Sequence, residues 1–258
     1  MVLSQEIRIV PITGIGEIAP GTDLGLLIYE AIQAQHLTLQ QGDVLVVTQK
    51  IVSKAEGRQV KLAEIEPSEF ARMAAQSSRK DAHYIETVLR ESRRIVRMDH
   101  GVLLTETHHG FICANAGIDE SNVNGGEGDV LLLPVDSDRS ASGVRTRLQE
   151  LSGEGAAFEI AVIISDTWGR PWRDGQVNMA IGVAGMEPLS DYRGQYDPYG
   201  YELHASVIAV ADELAAAAEL VMGKVDRVPV ALIRGYAYTP GTGTAQTLLR
   251  DPATDMFR

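Results

Sequence analysis

The chain has 258 residues, enough for one large core or two small lobes, and 45% of them are hydrophobic, an ordinary folded composition. No apolar stretch approaches the roughly 20 residues of a membrane span. The formal net charge of −12 argues against nonspecific nucleic-acid binding, and a chain this acidic that handles a polyanion must concentrate its cations locally or recruit metal ions. A single cysteine, Cys113, excludes an intrachain disulfide and any Cys-built zinc cage. The first residues show no charged segment followed by an apolar one, so a cytoplasmic protein without a membrane partner is expected.

Residues 7–12 alternate as a first strand, and residues 13–18 follow as a glycine-bearing loop. Asp23 can cap a helix running through Leu24, Leu27, Ile28 and Ala31. Residues 43–47 read as a buried strand that ends in the polar stretch 48–58. Residues 67–97 are expected to be helical in two pieces, opened at Pro67 and at Asp81. Short strands follow, at 102–104 and 110–112, then a small-residue loop over 113–123 and another short strand over 131–134. A helix over 140–151 closes at Gly153.

The apolar run 158–165 reads as a buried strand feeding a loop over 166–175, which carries a carboxylate, a hydroxyl, two glycines and two arginines. Asp166 and Thr167 offer hard oxygen ligands for a divalent cation, and Arg170 and Arg173 can fork onto phosphate or carboxylate oxygens. Trp168 and Trp172 either pack this loop or stack on a ring. Residues 177–186 form an apolar, glycine-broken segment, 204–222 the clearest helix, 228–235 a last strand, and a short helix ends the chain. Without regular βαβ spacing, the expected fold is irregular α/β or α+β, with mixed sheets and flanking helices, not a clean Rossmann sheet.

A P-loop is excluded, and Gly14-Ile15-Gly16 is only a fragment of a dinucleotide fingerprint, although backbone N–H groups in such a loop can cradle a phosphate. Lys50 and Lys54 sit at i and i+4 just beyond a strand; they form a phosphate-facing cluster or a solvated face. Asp119 and Asn122 place a carboxylate and an amide on one ligand, or Asp119 merely closes an Asx-turn. Two carboxylates, Asp119 and Asp166, each end an apolar segment and would explain both loops by converging on one divalent ion. Adjacent His108 and His109 point to opposite faces of an extended strand and do not make a metal pair. Cys113 reads as a small buried residue.

Five segments in order, VTQKIVSKAEGR at 47–58, ANAGIDESNV at 114–123, SDTWGRPWRDG at 165–175, ADELAAAAELVMGK at 211–224 and GTAQTLLRDP at 243–252, make the chain resemble the coenzyme F420-0:L-glutamate ligases nearly from end to end. The resemblance implies a GTP-dependent, amide-forming ligase that joins L-glutamate to the lactyl carboxylate of F420-0 or dehydro-F420-0, with γ-linked glutamates as a possible extension. It implies Mg2+ or Mn2+, with K+ as a further candidate, and a family-specific fold of two lobes in an intertwined homodimer. One ligase domain over 1–258, without a C-terminal reductase domain, is expected.

By the same resemblance Asp119 and Asp166 match ligands of a first divalent ion, and Thr167 a position on a second. Nucleotide-contacting positions match Asn122, Lys54, the Gln49–Lys50 pair and the backbone of Ile15, Gly16, Glu17 and Ile18. A further nucleotide segment matches Met222, Gly223, Lys224, Val225, Asp226, Arg227, Val228 and Pro229. Lys224 is a departure, because some relatives carry an acidic or amide ligand for the second metal there; a protonated lysine has no lone pair to offer. Either Thr167, phosphates and water hold that ion, or Lys224 replaces part of its charge. The expected chemistry moves the γ-phosphoryl of GTP to the substrate carboxylate, and the amine of glutamate then displaces phosphate, with Lys54, Arg170 and Arg173 as the charge clamps. The rival readings are a metal-dependent nucleotidase or phosphotransferase and a noncatalytic GTP-binding module.

Overall fold

A computed structural model of the chain describes residues 6–120 and 128–256. The first strand, β1 (Arg8–Ile12), leads through a loop to α1 (Leu24–Ala34), whose first turn is closed by the Asp23 carboxylate accepting the Leu26 N–H at 2.9 Å. β2 (Val44–Thr48) runs without a loop into α2 (Gln49–Ala55). Next come β3 (Gln59–Lys61), α3 (Glu69–Ala75), α4 (Ala82–Arg90), β4 (Ser92–Asp99), β5 (Val102–Thr107), β6 (Ile112–Ala114) and β7 (Asp129–Leu131). α5 (Ser137–Ser152) ends at Gly153, whose left-handed backbone (φ 80°) stops the helix. β8 (Ala161–Arg170) and β9 (Arg173–Ala184) form a long hairpin; β10 (Ser190–Asp191), β11 (Val207–Ile208), α6 (Val210–Met222) and β12 (Val230–Arg234) complete the chain.

Five strands make the central sheet in the order β1-β12-β2-β8-β9, with β2 and β8 parallel and every other pair antiparallel. Two- and three-stranded sheets, β3-β7, β10-β11 and β4-β5-β6, stand beside it. The middle strands are covered on both faces, which is why they read as unbroken apolar runs: Val44 to Val47 and Ile160 to Ile164 are all fully buried. Truncating one of their large side chains to Ala costs about 2–5 kcal/mol. These strands share one core with α1, α5 and α6, while Leu62, Ala71, Tyr84, Ile85, Val88, Leu103, Val130 and Leu132 form a second, smaller one. The architecture is mixed α/β, as the sequence predicts.

Two devices fix the sheet. Arg234 forks onto the fully buried Asp43 at 2.8 and 2.7 Å, tying the end of β12 to the start of β2. On β9, the edge strand, the Val183 N–H donates to Asp138 of α5 and the Ala180 N–H to Asp212 of α6, each at 2.8 Å. Carboxylates from the helices thus satisfy an edge that would otherwise be open to further pairing.

Several expectations are corrected. The loop expected over 166–175 is strand as far as Arg170, because Asp166 to Gly169 find partners on β9 from Met179 to Gln176; only Pro171 and Trp172 turn. The second helical piece stops at Arg90, and 92–99, with Ile95 and Val96, pairs with β5 instead. The strand expected at 131–134 lies at 129–131, in register with β3. The long helix starts at Val210, since Val207 and Ile208 pair with β10. The terminal helix is a single 3-10 turn, Ala245–Leu248.

Candidate functional site

Sheet register places four separate segments at one end of the fold. Ile12 at the end of β1 is opposite Val230 at the start of β12, and Val230 is opposite Val47 near the end of β2. The loop 13–18, the loop 222–229 and the first turn of α2 therefore open on the same side. Thr48 pairs with Ser165, so β8 beyond Ser165 projects past this end, bonded only to β9. Ends of parallel strands where the chain diverges are natural ligand crevices.

α2 brings its lysines to this end on one face, four residues apart. Lys50 Nζ lies 2.8 Å from Asp119 Oδ2, and Lys54, almost buried, lies 3.6 Å from Glu17 Oε2 in the first loop. Asp119 is held by its own backbone, which exchanges both hydrogen bonds with Leu131, at 3.0 and 2.8 Å. Gln49 turns inward: it is 1% exposed, and its side-chain amide donates to Ser53 Oγ and the Leu132 carbonyl. Gly14 takes a left-handed backbone (φ 81°), and a Cβ at Gly16 would meet nothing, which leaves the loop backbone accessible.

Asp166 has a deep carboxyl, pushed up to about 6 chiefly by burial. The N–H groups of Thr167 (2.8 Å) and the Trp168 indole (3.1 Å) pull it down; the charge of Asp119 pushes it up and that of Lys50 pulls it down. Asp119, Lys50 and Asp166 are thus near enough for the charges of the first two to act on the third. Trp168 stands edge-on to Phe111, with centroids 5.2 Å apart.

Neighbours along a strand face opposite ways, and the partners of Thr167 reflect this. Its hydroxyl donates to Asn178 Oδ1, directly across on β9, at 2.6 Å, and accepts from Lys224 Nζ. The Asn178 amide donates to Glu219 Oε2 at 2.6 Å, and Lys224 pairs with Glu219 Oε1 at 2.9 Å. Asp166 and Thr167 accordingly direct their side chains to different sets of partners. Asn178 and Glu219 escaped the sequence reading; the only local signal was a polar residue within the apolar segment 177–184 and a carboxylate near the end of an alanine-rich helix.

Arg170 and Arg173 stand opposite each other near the tip of the β8–β9 arm. At ~3.3 Å per residue, Arg170 is ~13 Å of strand beyond Asp166, so the arginines are not gathered with the carboxylates. Arg170 Nη2 donates to the Asp174 carbonyl at 3.2 Å, and its Nε, shielded from solvent, makes no hydrogen bond among the described residues. Met222 is buried, whereas Val225 is 86% exposed in the following loop. Asn122 lies outside the described residues. Cys113 is buried and its thiol pushed up to about 12, chiefly by that burial, which leaves it inert.

Among the described residues no three His, Cys, Asp or Glu side chains cluster around a common point, so there is no closed metal cage. Two hard carboxylates at this end of the sheet still fit Mg2+ or Mn2+, which keep waters and take further oxygens from phosphate. No helix of the described residues is long and apolar enough to cross a membrane.

A family model described as F420-0:gamma-glutamyl ligase matches residues 14–235. A coenzyme F420:L-glutamate ligase of Methanothermobacter thermautotrophicus is 45% identical over 255 residues, 98% of this chain and 99% of its own length. One of Methanopyrus kandleri is 44% identical over 257 residues, 98% of each chain. One of Archaeoglobus fulgidus is 40% identical over 255 residues, covering 98% of this chain and 97% of its own.

Proposed function

Because the chain belongs to the F420-0:gamma-glutamyl ligase family, whose reaction joins glutamate to coenzyme F420-0 through an amide bond, we propose that GTP drives this ligation from the sheet end described above. The observation that carries this reading is the meeting of Asp119, Lys50 and Asp166 where the loops 13–18 and 222–229 and the α2 lysines open on one side. Asp119 and Asp166 would hold Mg2+ or Mn2+, with K+ as a further candidate for the site. Such a cation, when bound, neutralises phosphate charge during transfer.

The protein's own groups do the positioning. Backbone N–H groups of Ile15 to Ile18 and the segment Met222 to Pro229 flank the nucleotide, with Lys50 and Lys54 facing its phosphates and Asn122 adding an amide. Gln49 contributes through its backbone, since its side chain is spent inside the fold. A carboxylate oxygen of F420-0 bonds to the γ-phosphorus as the bond to the β-phosphate oxygen breaks, releasing GDP. The glutamate amine, having lost one proton, attacks the acyl carbon; phosphate leaves and a second proton is lost, giving the amide. Arg170 and Arg173, opposite each other near the tip of the β8–β9 arm, hold anionic groups of the acceptor. The same steps serve dehydro-F420-0 as acceptor, and a γ-linked tail if the product re-enters as acceptor. The two apolar cores support a two-lobed subunit, and a homodimer completes the reading.

The test is to incubate the purified protein with GTP, Mn2+ or Mg2+, L-glutamate and F420-0, weigh the product and follow GDP. The expected product is heavier by one glutamate residue, and GDP appears with it. GDP released at the same rate without glutamate and acceptor, and no heavier product, would make the site a nucleotidase and overturn the proposal.

A further inference from the structure

The groups around Lys224 form a closed ring of hydrogen bonds. Thr167 has a single hydroxyl proton and gives it to Asn178; Asn178 gives an amide proton to Glu219; Lys224 gives one proton to Glu219 and one back to Thr167. Asn178 is 3% exposed, and the Glu219 side chain is largely covered. Gly223, with φ +60°, turns the chain at the end of α6 in a backbone conformation that glycine favours, and Lys224 follows it beside Glu219.

A hydroxyl, a carboxamide oxygen and a carboxylate are the oxygen types that suit Mg2+ or Mn2+. Here an ammonium rests on two of the three, and an ammonium is a donor only, so it cannot join a metal's ligand set. Two of its three protons are used within the ring. The third is available to an anion, and the Lys224 side chain is 59% exposed, so one can reach it.

We propose that Lys224 is a built-in cation standing where Thr167, Asn178 and Glu219 would otherwise hold a second divalent ion, so that this chain engages its nucleotide with one exchangeable divalent cation. The inference rests on the GTP site proposed above. Its charge accounting is local: with Lys224 present, Glu219 is neutralised, and with Lys224 removed, the Glu219 carboxylate is left uncompensated beside the neutral oxygens of Thr167 and Asn178.

The experiment counts bound Mn2+ on the full chain by the loss of the free-ion electron paramagnetic resonance signal, with a non-hydrolysable β,γ-imido analogue of GTP saturating the site. The wild-type chain is expected to bind one Mn2+, Lys224→Ala two, and Lys224→Ala combined with Glu219→Gln one again. At limiting Mn2+ the Lys224→Ala chain is expected to bind the analogue on the order of 10-fold more weakly, and excess Mn2+ to restore it. Two ions on the wild-type chain, a count that depends on no variant, would overturn the inference while leaving the GTP reading intact, and so would one ion on a folded Lys224→Ala chain. No Mn2+-dependent binding of the analogue by the wild-type chain would overturn the GTP reading and this inference together.

Discussion

At Asp166 stability and function pull in opposite directions. Burial pushes its carboxyl up to about 6 and the neighbouring Asp119 charge adds to that, so in the absence of a bound cation the ionised form is a cost to the fold. Asp166→Asn keeps an oxygen for the Thr167 N–H and removes the charge, at the expense of the Trp168 indole bond. The metal-free variant is expected to melt no more than about 2 °C below the parent, while ligation falls on the order of 10³-fold. Near-normal product formation would exclude the proposed role in metal binding. Asp138 gives the same physics away from the site. Burial holds its carboxyl above its ordinary value of 3.8, although one oxygen accepts both the Val183 and Ala245 N–H groups at 2.8 Å. The folded state then binds more protons than the unfolded one between 3.8 and the raised folded value, so this contribution to stability is present at low pH and lost as pH rises through that window. Asp138→Asn retains the acceptor without the slope. Urea midpoints of the two proteins should diverge in favour of Asn as pH rises from about 4, and a gap that stays constant with pH would count against this account.

Among the elements, the pairing of α5 with β9 depends on one missing side chain. A Cβ on Gly182 would stand 2.3 Å from the Ser137 carbonyl oxygen, which is backbone and cannot swing aside. Gly182→Ala must lift the start of α5, and with it the Asp138 bonds to β9; a loss of about 3 kcal/mol is expected, read as a lower urea midpoint at unchanged slope. An unchanged midpoint would show that α5 is not so closely seated. Elements carrying their own signals were legible in the sequence: the apolar strands β2 and β8, α1 with its Asp23 cap, and α5 with Gly153. α2 was not, since its seven residues follow a strand directly and Thr48 makes no side-chain cap. Nor was β4, because α4 ends at Arg90, capped by Glu91, without a glycine or proline to mark the change. The β8 arm carries Asp, Gly and Arg, residues of loops, and only pairing with β9 makes it a strand. For the site, Asp119, Asp166 and Thr167 were marked by family likeness, whereas Asn178 and Glu219 come together with Thr167 only through the tertiary fold.

For the whole molecule the proposed reaction raises a difficulty of charge, since under it a chain of formal net charge −12 would have to attract a nucleotide triphosphate and an acidic acceptor. The lysines at the sheet end do not solve it alone, because each already faces an acid: Lys50 faces Asp119, Lys54 faces Glu17 and Lys224 faces Glu219. Their charges fix geometry more than they supply surplus, so on the proposed reading the surplus would arrive with a divalent cation. Chelation with EDTA is therefore expected to weaken GTP binding by at least ~10²-fold, a thermal-shift signal being the convenient readout. With Mg2+ and GTP at 100 times the dissociation constant, stabilisation is about 2.7 kcal/mol, a rise of roughly 5–10 °C for a chain of this size. EDTA should abolish the rise. Salt separates this from a general effect on the fold. Raising it should weaken binding with Mg2+, where attraction is screened, and help what binding remains under EDTA, where repulsion is screened. A melting shift by GTP that survives chelation and weakens with salt would mean that the lysines carry the nucleotide unaided, and the carboxylate pair would then need another purpose.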